Sequence, residues 1–236
     1  MPDLRETIHE LRQIVSEQRT PSDSLLMASD NWERFVKQGD NFLDAVQSVA
    51  DLASAAAGTQ DETQRRRLVS DVGSAIRKVT SVTNRAYGLF AEGRENVYEA
   101  AQVWKIPTRR KGVGKPVESI SGANDSAILT QLKGAAEAMP GGVHSMLDLG
   151  AAIFHKARKG AANVPEAGED QKSIVEAALD FRDAVSVNLF ARTNGVMRRV
   201  VELANRAWAK ARYEETALDW KAPWENDPEL GGREIL

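Results

Sequence analysis

Apolar residues recur at steps of three and four along almost the whole chain, and no run of four to eight residues alternates as a half-buried strand would. That periodicity points to an all-α fold. The longest run opens at Asp61 and carries Leu68, Val72, Ile76, Val79, Val82, Ala86, Leu89, Val97, Ala101 and Trp104 on one stripe, with Gly88 and Gly93 as places for a break or kink. A second long run leads from Ile174 through Phe181, Val185, Leu189, Val196, Val200 and Leu203 to Ala211, where Asn194-Gly195 is the expected interruption. With 42% hydrophobic residues among 236, the chain can bury a core. The expectation is a bundle of helices with loose ends.

Punctuation residues divide the remainder. Leu4, Ile8, Leu11 and Val15 form a first stripe, entered by Asp3 with Glu6 at capping-box spacing and ended by Pro21. A short helix then holds Leu25, Leu26, Trp32, Phe35 and Val36, and a third spans 41–57 between Gly39-Asp40 and Gly58. Two prolines, three glycines and a basic cluster make 105–125 an exposed loop. Segments 126–139 and 143–159 are expected as separate helices divided by Pro140-Gly141-Gly142, and 160–170 as a loop. From Trp220 the chain turns acidic and rich in proline and glycine, so 221–236 reads as a flexible tail. These boundaries give outer N-terminal helices over 1–39, a bundle over 40–220 and the tail.

Chemistry-bearing residues are sparse. The chain has no cysteine, which removes thiolate metal sites, disulfides and a cysteine nucleophile. It has three histidines; Glu6 and His9 have di-iron spacing, but His144 and His155 lack a glutamate three residues earlier. Gly112-Val113-Gly114-Lys115 looks like part of a phosphate loop, yet Arg109 replaces the first glycine and Pro116 the magnesium-binding hydroxyl. No enzymatic activity and no cofactor are expected. No stretch approaches the roughly 18 apolar residues of a membrane span, and the N-terminus lacks a signal-peptide core, so a soluble protein without a membrane partner is expected.

The net charge of -3 hides a division along the chain. Residues 1–60 carry 5 basic and 10 acidic groups, 61–120 carry 12 and 7, and 214–236 carry 2 and 7. Arginine outnumbers lysine 20 to 11, which favours forked hydrogen bonding to phosphate or carboxylate. Arg65, Arg66 and Arg67 stand at the start of a helix, where they oppose its dipole. An anionic partner would favour them there. Two twelve-residue stretches, Ile76 to Tyr87 and Met197 to Trp208, share five identities, which duplication or similar helix composition would each produce.

The end of the final run, with Trp208, Tyr213-Glu214, Leu218 and Trp220, resembles the C-terminal signature of coat proteins of rod-shaped plant RNA viruses, the tobacco mosaic virus-like family: an aromatic-Glu pair, a spacer, then Leu-x-Trp. The spacer is one residue shorter than the family's, and tyrosine replaces the usual phenylalanine. Arg182-Asp183 followed by Arg192-Thr193 is similar to the family's inner-radius RNA-binding helix, and Trp32 with Phe42-Leu43-Asp44 to the entry of its first bundle helix. Gln60 to Arg65 is similar to the start of its second helix, and Gly150 to Arg158 to its third. Flexuous filamentous virus coat proteins are a second choice, through Ala177 to Val185.

The resemblance implies a four-helix bundle formed near 40–57, 61–80, 143–159 and 170–192, a channel-facing loop at 160–170, and both termini at the outer surface. Residues 84–125 do not fit it and would be an insertion. It implies a structural protein that polymerises into an open helix around single-stranded RNA, in virions and in host cytoplasm during assembly. Lys156, Arg158, Arg182 and Arg192 are the expected phosphate contacts, with Arg65 and Thr193 behind them and Asp183 orienting an arginine or a ribose hydroxyl. Trp32, Trp208, Tyr213, Leu218 and Trp220 would form an outer apolar cluster. Carboxylates paired between subunits would make assembly pH-dependent and could take calcium. The alternative reading is an Ala-rich helical interaction protein, an adaptor or granule coat.

Overall fold

The computed structural model describes residues 19–108, 122–211 and 217–230, and every regular element among them is helical. The first stripe, His9, the Arg109-Arg110-Lys111 cluster, the glycine-rich 112–115 and Tyr213 lie outside the described residues.

Helix α1 (Pro21–Val36) begins at a reciprocal cap: Thr20 Oγ1 accepts from the Asp23 amide while Asp23 Oδ2 accepts from the Thr20 amide at 3.1 Å. Pro21 therefore starts a helix here, its missing N–H falling where no intrahelical partner exists. After Lys37 and Gln38 the chain continues as α2 (Gly39–Gly58). Helix α3 (Glu62–Val103) is capped by Asp61, whose carboxylate accepts from the Gln64 amide. Its 42 residues span about 63 Å at 1.5 Å per residue. It closes in a Schellman turn in which Ile106 N–H reaches the Ala101 carbonyl and Lys105 N–H that of Gln102. Lys105, with φ 55°, takes the left-handed position usually given to glycine.

Helix α4 (Asp125–Gly160) and helix α5 (Glu169–Val185) flank the loop at 161–168. A π-helical segment, Ser186–Ala191, joins α5 to α6 (Arg192–Lys210) without a break. Four rods result: α1 with α2, α3, α4, and α5 with α6.

The two ends of the bundle are identified by long-range contacts. At one end Ser22 Oγ donates to the Ala161 carbonyl and Trp104 Nε1 to that of Val164, so the start of α1, the end of α3 and the 161–168 loop meet. At the other, Arg66 reaches the Ala211 carbonyl and Arg206 the Asp125 carboxylate, joining the start of α3, the end of α6 and the start of α4. Rods one and four thus run away from the 161–168 loop, and α3 and α4 both run toward it. The chain enters the described bundle at the loop end, not at the opposite end that the resemblance implies.

Several boundaries differ from the sequence expectation for reasons of packing. Gly93 does not break α3; it admits Trp32, whose Nε1 would lie 2.3 Å from a Cβ there. Trp32 packs edge-on against Phe181 and donates to the Phe90 carbonyl at 3.2 Å. Helix α1 therefore belongs to the same core as the other rods and is not an outer appendage of the 40–220 bundle. Pro140 sits inside α4, because the buried stripe Leu132, Ala136, Met139, Val143, Met146 and Gly150 continues through it. Burial of that stripe offsets a proline cost of about 3 kcal/mol. The last rod changes hydrogen-bond pattern at 186–191 and not at Asn194-Gly195.

The tail expectation is corrected for its described part. Residues 217–230 run back along the bundle as a strap, with Trp224 fully buried and Leu230 nearly so. The Trp224 ring lies 4.3 Å from that of Phe190 and 6.3 Å from that of Tyr87. The strap's acidity is used: Asp227 meets Arg94 at 2.9 Å, and Tyr98 donates to Glu229 at 2.9 Å. Residues 231–236 lie outside the described residues.

Candidate nucleic-acid interface

The expected phosphate contacts do not converge on one surface. Lys156 and Arg158 stand at the loop end of α4, where Lys156 Nζ donates to Ser173 Oγ. Arg158 reaches Asp30 at 2.6 Å and Glu33 at 2.7 Å, and these carboxylates keep its guanidinium firmly protonated. Arg65 lies at the opposite end, donating to the Thr59 carbonyl at 2.6 Å. It closes the turn between α2 and α3, a local reason for its place near that helix start.

Arg182 and Thr193 are interior. Thr193 is 0% exposed, and its hydroxyl donates to the Leu189 carbonyl at 2.7 Å. This bond falls at the π segment, whose altered ladder leaves carbonyls for side chains to satisfy. Arg182 is 3% exposed; it donates to Tyr98 Oη at 2.7 Å and to Asp183 Oδ1 through both Nε and Nη2. Burial works against its charge, but the Tyr98 and Asp183 bonds outweigh it and raise the pKa. Asp183 thus does orient an arginine, inside the fold. Arg192 is half-buried, and its Nε has no acceptor among the described residues.

The aromatic residues also divide. Trp32 is central, while Trp208 is half-buried near the far end, in the group formed by Ala56, Val69, Ala207 and Leu218. Leu218 is clamped there: Asn205 Nδ2 donates to its carbonyl at 2.9 Å, and its amide donates to Asn205 Oδ1 at 2.8 Å. Trp220 Nε1 then donates to Asn194 Oδ1 at 3.3 Å. Sequence reasoning missed Trp224, since its proline-rich, acidic surroundings masked a lone apolar anchor.

An open cleft of about 800 Å³ lies between the end of α3, the 161–168 loop and α5, with Lys105, Lys172, Glu166, Glu176 and Asp180 on its walls. Among the described residues no three His, Asp or Glu side chains gather as a metal site, and no helix is long and apolar enough to cross a membrane.

A different basic surface emerges on α3. Between residues 64 and 91 that helix carries Arg65, Arg66, Arg67, Arg77, Lys78 and Arg85 against the single carboxylate of Asp71. Arg67, Arg77, Lys78 and Arg85 are exposed, as are Ser70, Ser74, Ser81 and Asn84 between them. No protein-family model matches this chain, and no curated protein or solved structure matches it either.

Proposed function

We propose that this chain is a structural coat subunit, without enzymatic activity, that polymerises into an open helix around single-stranded RNA. The observation that carries the reading is the anchoring of Leu218 and Trp220 by Asn205 and Asn194. Leu218 and Trp220, the Leu-x-Trp part of the resemblance to rod-shaped virus coat proteins, are therefore built into the bundle rather than trailing from it. Exposed Leu26 and Met27 on α1, Leu149 on α4 and Val103 at the end of α3 add apolar surface on separate parts of the molecule. An open helix needs heterologous contacts whose rotation does not close into a ring. Carboxylates brought together between such copies would repel when ionised, so assembly is expected to loosen as pH rises or calcium is withdrawn.

Negative-stain microscopy of the purified full chain tests this reading. Filaments of uniform diameter that carry nuclease-sensitive, RNA-rich absorbance are the expected result. A discrete monomer with no affinity for polynucleotide at low ionic strength would overturn it. The exposed apolar residues also suit a helical scaffold protein; assemblies indifferent to nuclease and free of nucleic acid would favour that second reading.

A further inference from the structure

The cations of this protein are not treated alike. Some face carboxylates: Lys37 meets Glu33, Arg158 meets Asp30 and Glu33, Lys172 meets Glu169, and Arg206 meets Glu202 and Asp125. Others, such as Arg34, Lys133 and Lys221, are exposed without an ion-pair partner among the described residues but stand on separate elements. On the outward side of α3, Arg67, Lys78 and Arg85 have no ion-pair partner among the described residues, and Arg77 donates only to Ser74 Oγ. At 100° per residue, Arg67, Ser74, Lys78, Ser81 and Arg85 fall on one face, opposite the buried Val72, Ile76, Val79 and Phe90. This face spans about 27 Å between Arg67 and Arg85. Asp71 is the one acid on it.

Cations spaced along one helix face gain most from a ligand of repeated negative charge. Hydroxyl and amide side chains between the cations add donors suited to phosphate oxygens without reading bases. We infer that the outward face of α3, from Arg67 to Arg85, is the surface that takes the phosphate backbone of single-stranded RNA. The inference rests on the coat-subunit reading and relocates its RNA contact away from the interior Arg182 and Thr193.

The test is the salt dependence of binding of a fluorescein-labelled uridine 20-mer to the full chain, read by anisotropy. Neutralising three phosphate contacts in the triple variant Arg67→Gln, Lys78→Gln, Arg85→Gln should make the log–log salt slope shallower by about 2, at roughly 0.7 per contact. Between 50 and 200 mM salt the wild type should then lose roughly 20-fold more affinity than the variant. A control triple variant at exposed cations off this face, Arg34→Gln, Lys133→Gln, Lys221→Gln, should keep the wild-type slope. Circular dichroism confirms that each variant is folded, and Arg85→Gln alone should shift the slope by about 0.7. Unchanged binding by the α3 variants, or an equal loss in the control, overturns this inference and leaves the coat reading standing. Wild-type protein that ignores RNA at low salt, or prefers polyglutamate to it, overturns both.

Discussion

Arg94 Nη2 lies 2.9 Å from the Asp227 carboxylate, and the Asp227 side chain is 1% exposed. The contact ties the C-terminal strap to the last quarter of α3. Tyr87 Oη also donates to Asp227 at 2.8 Å, and the Glu229 amide at 2.9 Å, so the buried carboxylate is surrounded by donors. Replacing one member of such a pair strands the other. Asp227→Asn is expected to cost about 3 kcal/mol, toward the lower end for a broken buried pair because Glu229 still lies 3.4 Å from Arg94. Urea unfolding checks the value, and faster proteolysis after residue 211 would locate the loss in the strap.

The same cluster makes the strap sensitive to both extremes of pH. Burial raises the Asp227 pKa, but the Arg94, Glu229 and Tyr87 hydrogen bonds more than reverse this and leave it lowered from 3.8. Its stabilisation is therefore complete above the unfolded value and lost as pH falls through the lower folded one. Tyr87 is pushed up to about 12, first by burial and then by Asp227. Its contribution is full below pH 10, the ordinary phenol value, and lost as pH rises toward 12. Burial also raises Tyr98, so tyrosinate absorbance should show two late-titrating tyrosines, and Trp224 emission should redden at both limits; a strap signal flat across the range would contradict this.

Two glycines of α3 separate close packing from helix propensity. A Cβ at Gly93 would stand 2.3 Å from the Trp32 ring, whereas one at Gly88 meets nothing within 4 Å. Gly93→Ala should destabilise by about 1–3 kcal/mol through overpacking. Gly88→Ala should stabilise by up to about 1 kcal/mol. Thermal unfolding of the two variants is the check, and shifts of the same sign would refute the account.

Arg182 distinguishes a structural arginine from an RNA contact. Arg182→Gln is expected to lower stability by about 3 kcal/mol, because Asp183 and Tyr98 lose their buried partner. The salt slope of RNA binding should not move under conditions where the variant is folded. A slope shallower by about 0.7 would return Arg182 to the interface.

Helix periodicity was the legible part of this chain. Of the expected stripe on α3, Val72, Ile76, Val79, Ala86 and Leu89 are buried while Leu68 and Val82 are half-buried, and Phe181, Val185, Leu189, Val196, Val200 and Leu203 mark the buried side of the last rod. Proline and glycine were weaker guides: Pro21 starts a helix, Pro140 lies within one, and Gly93 accommodates a tryptophan. At Pro21 the outcome is local, set by the Thr20 cap, whereas at Pro140 and Gly93 the neighbours in space set it.

By itself, then, the sequence determined an all-α chain and which side of each helix turns inward, because apolar spacing and local capping act within a few residues. Tertiary structure decided which charges are paired and which stay exposed. Arg158 meets Asp30 across 128 residues and Tyr87 meets Asp227 across 140, distances along the chain at which no local pattern carries information. Arg182 and Arg85 look equivalent as letters, yet one is enclosed by Tyr98 and Asp183 while the other faces solvent on α3. The difference is desolvation and pairing, which exist only once the four rods have come together.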